Sequence, residues 1–215
     1  KDMTYQACAT AHTNSCIRQQ FSNKLNVQIS QFAADYITNI RSYMGNDDRV
    51  PKLGIQSYGY MYLADNEELA TTLRQNITVQ HEAGAVTRLM GPEEIAAEYP
   101  FYKVDDIILG SINTHNEGYW DGGTVFDWWR RQAGERGIEY IANEVVAMDK
   151  NAAGTKIETV TLGTGERINC GQLVNASGPR AARTAAMAGI DIPIEPRKRF
   201  SYIFQAAEPL MRDLP

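Results

Sequence analysis

A chain of 215 residues with 43% hydrophobic and 22% charged side chains is long enough and apolar enough to bury a core. Its net charge of −5 argues against a nucleic-acid or anionic-membrane surface as main partner, and no apolar run is long enough to span a bilayer. Three cysteines, Cys8, Cys16 and Cys170, lack metal-ligand spacing and read as free thiols of a reducing compartment, which implies a cytoplasmic protein.

Residues 1–23 show no period and read as a loop leading into a helix, with His12, Asn14, Ser15 and Arg18 crowding hydrogen-bonding groups together. Residues 25–40 form the cleanest predicted helix. Leu25, Ile29, Phe32, Ala33, Tyr36, Ile37 and Ile40 share one face, expected to be core. Residues 53–64 predict a strand whose Tyr58, Tyr60 and Tyr62 share a face, either lining a pocket or packing a half-buried sheet. Asp65 and Glu68 resemble a capping box for a helix with Leu69, Leu73 and Ile77 on its face. A short strand over Val86–Met90, a helix opened by Gly91 and Pro92, and a strand over Asp106–His115 follow. Asn116–Gly123 reads as a turn-rich loop. Thr124 is expected to cap a helix whose apolar face carries Val125, Trp128, Trp129 and Ala133.

From Ile138 the pattern turns to β. Ile138, Tyr140 and Ala142 alternate, and strands over Val145–Met148, Lys156–Leu162 and Glu166–Ile168 make a small meander. The meander feeds a short strand, Leu173–Val174, that runs into Asn175-Ala176-Ser177-Gly178 and then an alanine-rich helix over 180–188. Small residues suit a backbone passing close to a ligand, and a helix N-terminus offers N–H groups to an anion. A last strand is expected with Phe200, Tyr202 and Phe204 on one face. There is no metal-ligand cluster, no Gly-x-Ser-x-Gly and no Gly-x-Gly-x-x-Gly. The residues alone stop at an α/β protein with one tight, ligand-capable corner.

Three stretches together resemble the D-amino-acid oxidase-like (DAO) superfamily of FAD-dependent oxidoreductases, in its sarcosine oxidase, glycine oxidase and dimethylglycine dehydrogenase branch. They are Asn14–Ser22; Gly118-Tyr119-Trp120-Asp121 followed by a helix, Gly137 and a strand holding Val145; and Leu173–Gly178 continuing through Gly189–Arg197. The resemblance implies a mixed α/β and α+β fold. A partial FAD-binding Rossmann-like domain with its β-meander would cover 1–45 and 135–195. A partial substrate-binding domain with a mixed or antiparallel sheet would cover 46–134 and 196–215. It also implies that the chain is an internal fragment, inactive by itself, with the main FAD diphosphate cradle upstream of Lys1. The edge of the 173–174 strand would then be left to pair with another chain, forming a dimer, or to lose its order.

Carried over residue by residue, the resemblance places the backbone of Val145 at the adenine and Ala176, Ser177 and Gly178 along the FAD. It sets Thr10, Asn14, Ser15 and Cys16 beside the flavin and ribityl chain. His12 stands near where some relatives attach flavin covalently, at an offset that argues against a covalent link. Arg18 matches an arginine that holds the substrate carboxylate in amine-oxidising relatives, a task suited to a guanidinium fork; a salt bridge at the helix start is the other reading. Trp120 stands where the family usually carries a smaller residue. The implied reaction is hydride transfer from the α-carbon of an amino acid or N-methylated amine to flavin, then imine hydrolysis. The alternatives are a binding module of the same fold without chemistry, and an NAD(P)-linked dehydrogenase whose nucleotide motif lies outside the chain.

Overall fold

The computed structural model describes Tyr5 and residues 8–215, so the loop expected over residues 1–23 falls partly outside the described residues. The chain divides into two compact units, Asn14–Gln132 with Ala206–Pro215, and Lys1–Thr13 with Ala133–Gln205. Both carry antiparallel sheets and helices, the mixed α/β architecture expected.

The first unit holds β1 (Cys16–Ile17), α1 (Lys24–Thr38), α2 (Ile40–Tyr43), β2 (Ile55–Gln56), β3 (Tyr60–Ala64), α3 (Glu67–Glu82), β4 (Arg88–Met90), α4 (Pro92–Glu98), β5 (Leu109–Asn113), β6 (Gly118–Trp120) and most of α5 (Gly122–Glu135). β6 pairs with both β1 and β2, and β5 with both β3 and β4, giving two three-stranded antiparallel sheets. β6 lies within the stretch expected to be loop; three residues between turn signals are too few for a period to show. The unit explains the placement of residues 14–45. Ile17, Ala34 and Ile37 pack with Leu53, Ile55 and Trp120, which ties α1 to the β1-β6-β2 sheet.

Each helix shows how local chemistry set its limits. The Asn23 side chain accepts the Leu25 N–H at 2.9 Å and starts α1. The buried row of α1 is Val27, Ala34 and Ile37, whereas Leu25, Ile29 and Phe32 are more than half exposed, so the expected core face is corrected by one row. The apolar stripe is broad, and a 3.6-residue period fits either edge of it. α3 is capped by Asn66, which accepts the Leu69 N–H at 3.0 Å, one residue after the expected Asp65. In α5 the cap is the Asp121 side chain, which accepts the Thr124 N–H at 3.0 Å; Thr124 is the third helical residue, not the cap. In α4, Pro92 opens the first turn and Glu94 accepts the Gly91 N–H at 2.8 Å, as expected. Ile95 from α4 then packs with Met90, Tyr99 and Ile112.

The second unit holds the meander β7 (Val145–Lys150), β8 (Ile157–Leu162) and β9 (Arg167–Asn169), then α6 (Ala181–Met187). Three expected strands are not formed. Residues 138–142 and the stretch around Phe200, Tyr202 and Phe204 pair with no described segment, and the last three side chains are largely exposed. Leu173–Val174 is also unpaired, with Val174 87% exposed. Alternation signals a strand only where a partner supplies the ladder.

Candidate functional site

Among the predicted site residues, Arg18 has the most developed surroundings. It follows β1 and faces β3. Its guanidinium lies 4.9 Å from the Phe21 ring centroid, 5.4 Å from Tyr60 and 5.8 Å from Tyr62. Tyr60 and Tyr62 alternate along β3 and stack on each other at 5.3 Å, which settles their shared face as the wall of this cluster. Tyr58 is not part of it: a break at Gly59, φ +104°, separates it from β3, and its hydroxyl donates to Gln56. Cation–π contact confines the Arg18 guanidinium, and Arg18 also makes a side-chain hydrogen bond to Tyr62. Its Nε is buried and has no hydrogen-bond partner. An unpaired charged donor in a low-dielectric setting is costly unless something accepts from it.

Behind Arg18 lies a group the sequence reading passed over. Glu117 is fully buried, at 0% exposure. Its Oε1 accepts the Gln19 backbone N–H at 2.7 Å and the Asn113 Nδ2–H at 2.9 Å, and its Oε2 accepts the Gln20 Nε2–H at 2.9 Å. Gln20 also donates to the Tyr60 carbonyl at 2.7 Å, and Ser111 donates to Gln20 Oε1 at 2.8 Å. Gln19 reaches the His115 carbonyl at 2.9 Å. Burial pushes the Glu117 carboxyl up to about 7, against the opposing pull of the Gln20, Gln19 and Asn113 donors and of the Arg18 charge. Burial also raises the Tyr62 phenol, with Arg18 acting in the other direction. The carboxylate thus fastens the segment carrying Arg18 to β5 through neutral donors. The legible signal was the run Arg18-Gln19-Gln20 between apolar Ile17 and Phe21; polar side chains flanked by residues that seek the core call for buried partners.

Asn14, Ser15 and Cys16 belong to the same unit as Arg18. Ser15 takes a left-handed backbone, φ +52°, and its carbonyl accepts the Trp120 N–H at 3.1 Å. Cys16 pairs with Tyr119 across β1 and β6, with an exposed side chain. Trp120 packs into the core beside Ile17, Ala34 and Ile37.

Thr10, His12, Val145, Ala176, Ser177 and Gly178 lie in the other unit. Thr10 and His12 fall in a single 3-10 turn, Ala9–His12. Val145 pairs with Leu162 at the start of β7. The corner is stapled by Asn175, which accepts the Ser177 N–H at 3.2 Å and donates to the Ala181 carbonyl at 2.9 Å. A 3-10 turn, Gly178–Arg180, intervenes before α6, so no helix starts at once and α6 is only seven residues long. Gly178 has φ +56°, and a Cβ there would meet nothing within 4 Å. The glycine is required by its backbone conformation, and the space above the corner is open. Beneath it, a cavity of about 470 Å³ between the meander and α6 is lined mainly by apolar groups such as Met148, Leu173 and Ile190, and does not include Ala176–Gly178. Among the described residues no cluster of His, Cys, Asp and Glu could hold a metal, and no helix is long and apolar enough to cross a membrane.

The family model described as DAO, FAD dependent oxidoreductase, matches residues 4–214. FAD-dependent oxidoreductase domain-containing protein 1 of Xenopus laevis is 30% identical over 94% of this chain and 46% of its own length; that of Bos taurus is 28% identical over 97% and 48%. The chain therefore spans about half the length of the curated relatives it matches. Among solved structures, L-proline dehydrogenase from P.horikoshii superposes with a TM-score of 0.67 at 27% identity, covering 86% of this chain and 46% of that one. Glycine oxidase from Geobacillus kaustophilus shares the fold at a TM-score of 0.65 and 17% identity, over 86% and 49%.

Proposed function

The chain belongs to the DAO family of FAD-dependent oxidoreductases, and on that premise we propose that the full-length protein oxidises the C–N bond of a small amino acid or N-substituted amino acid, with Arg18 docking the substrate carboxylate. The observation that carries this reading is the Arg18 guanidinium, held between Phe21, Tyr60 and Tyr62 with a buried, unpartnered Nε. A carboxylate pairs with such a fork through two parallel charge-assisted hydrogen bonds. L-proline dehydrogenase and glycine oxidase, by their names, act on amino acids, which supports a substrate of this class.

The corner at 176–178 supports a close approach of FAD. The 176–178 corner carries only small side chains, is exposed, and presents open space at Gly178. We assign Val145 and Ala176–Gly178, with Thr10 and His12 of the same unit, as residues toward FAD. Bound FAD supplies the hydride acceptor. Arg18 neutralises and orients the carboxylate. The Tyr60 and Tyr62 rings fix the plane of the guanidinium and exclude water from it. Glu117, through Gln19 and Gln20, keeps the backbone of that segment in register with β5.

The test is anaerobic titration of the full-length flavoprotein with a panel of amino acids, following bleaching of the flavin band. Arg18→Met is expected to raise the half-saturating amino-acid concentration by about 100-fold, the worth of a charge-assisted bidentate pair left unmade. A full-length protein without flavin absorbance, or an Arg18→Met variant that bleaches at the wild-type concentration, overturns the proposal.

A further inference from the structure

Resting on the reading of Arg18 as a carboxylate anchor, we infer that Glu117 takes up one proton from solvent when an anion docks on Arg18, so that the buried cluster keeps zero net charge in both states.

The geometry sets up the exchange. Arg18 and Glu117 are the opposite charges of one cluster, and Glu117 is fully buried among neutral donors. The titratable groups that act on Glu117 through space are Arg18, on the segment after β1, and Tyr62 on β3; Gln19, Gln20, Ser111 and Asn113 around it add only neutral polar groups. The Arg18 charge acts on the carboxylate through space, and it favours ionisation. A docked carboxylate places a second anion against that guanidinium. Two carboxylates then share one cation in a poorly solvated site, and the one that has lost its water is the one that takes a proton. The balance is simple. One proton leaves the buffer and joins a Glu117 oxygen; no other bond forms or breaks, and the ligand stays ionised.

The hydrogen-bond network can accommodate the acid at one point. All three present partners donate to Glu117, so a protonated oxygen needs an acceptor. Asn113 does not supply one, because turning its amide over to face Glu117 with the oxygen would set its NH2 against the His115 N–H that Oδ1 accepts at 2.8 Å. Gln20 can. With its amide turned over, its oxygen accepts the Glu117 O–H and its nitrogen donates to Ser111, whose hydroxyl serves equally as acceptor. The exchange gives up the Gln20 bond to the Tyr60 carbonyl. Docking is thereby coupled to the backbone of β3, the strand whose tyrosines wall the guanidinium.

The experiment is calorimetric titration of the full-length flavoprotein with benzoate, a planar carboxylate that suits a guanidinium flanked by rings. Each titration is repeated in buffers of different ionisation enthalpy. The slope of heat against buffer enthalpy counts the protons taken up. Uptake of roughly half to one proton is expected at about pH 7.5, falling toward zero near pH 5.5, where Glu117 is already protonated. Glu117→Gln should reduce the uptake to near zero. If that variant fails to fold, an infrared difference spectrum of the wild type should show a protonated-carboxyl C=O band appearing on binding. Benzoate binding that is abolished by Arg18→Met but proceeds without proton uptake, or with uptake undiminished in Glu117→Gln, overturns the inference and leaves the anchor reading standing. Wild type that takes no benzoate, or Arg18→Met that binds it normally, overturns the anchor reading instead.

Discussion

Gly118 should be intolerant of even one added methyl group, and the structure gives the reason in distances. It has φ +142°, and a Cβ built there would lie 2.1 Å from the Gln56 carbonyl oxygen, 3.1 Å from the Tyr58 nitrogen and 3.2 Å from the Gln56 carbonyl carbon. These are backbone atoms, so no rotamer change relieves them. The β2–β6 pairing of Ile55 with Trp120 and Gln56 with Tyr119 must part by about 1 Å or more to reach ordinary contact distance. The positive φ adds roughly 1–3 kcal/mol for a residue with a side chain. Loosened ladder bonds add about 1 kcal/mol each. Gly118→Ala should therefore lose about 3–5 kcal/mol. Gly45→Ala is the control: φ is +72° but nothing lies within 4 Å of its Cβ, so only the conformational cost of about 1 kcal/mol remains. Urea unfolding followed by tryptophan fluorescence separates the two, because Trp120, Trp128 and Trp129 all lie in the unit that contains Gly118. The Gly118→Ala midpoint should fall by about 1–2 M more than that of Gly45→Ala. Equal losses in the two variants, within about 0.5 kcal/mol, would refute the reasoning. Gly118 also adjoins Glu117, so the same change should weaken benzoate binding in the full-length protein, whereas Gly45→Ala should not.

Asn66→Ala removes the side chain that accepts the Leu69 N–H and should destabilise α3 by about 1 kcal/mol, read as earlier amide exchange in residues 67–70, while Asp65→Ala should leave that exchange nearly unchanged. Ile95 is fully buried and its Cδ1 lies 2.8 Å from where a Gly110 Cβ would stand, so Ile95→Ala should cost about 2–5 kcal/mol and Gly110→Ala should cost less in its presence than alone; additive losses in urea unfolding would show that the two do not meet. Glu117 carries a folded-state pKa raised to about 7 from 4.5, so between those values the folded state holds the extra proton and stability falls as pH rises. The drop should approach about 3 kcal/mol across that window in wild type and disappear in Glu117→Gln. A Glu117→Gln slope equal to that of wild type contradicts the assignment.

How much was legible depended on how far the deciding partner lay along the chain. The meander could be read because its turns, such as Asn151–Gly154, sit between the strands they join. α4 could be read because Gly91, Pro92 and Glu94 settle its start locally. The buried row of α1 could not be read, because what covers Ala34 and Ile37 comes from Ile55 and Trp120, on strands distant in sequence. Phe200, Tyr202 and Phe204 show the converse: the alternation is genuine, but no described strand pairs with it. Arg18 was singled out by resemblance, yet its aromatic walls come from β3, and Glu117 binds Gln20 across 97 positions. Nothing local in Asn116-Glu117-Gly118 separates a buried acid from a solvated turn.

The manner in which Glu117 serves Arg18 bears on the choice between an anion site and a structural ion pair. A structural pair would bring the carboxylate onto the guanidinium fork and use up its donors. A ligand would then have to break a buried pair, at a cost of about 3–5 kcal/mol, before binding. Here the carboxylate spends its lone pairs on Gln19, Gln20 and Asn113 and reaches Arg18 only through space. The charge of Arg18 is balanced without a salt bridge; one side-chain hydrogen bond goes to Tyr62, and its Nε stays without a partner. Three aromatic rings hold the guanidinium in place of a salt bridge, and a neutral phenol such as that of Tyr62 competes with an incoming carboxylate far more weakly than a charged partner would. That division of labour favours docking over stability, and it accounts for two buried glutamines where apolar side chains would have packed with fewer demands.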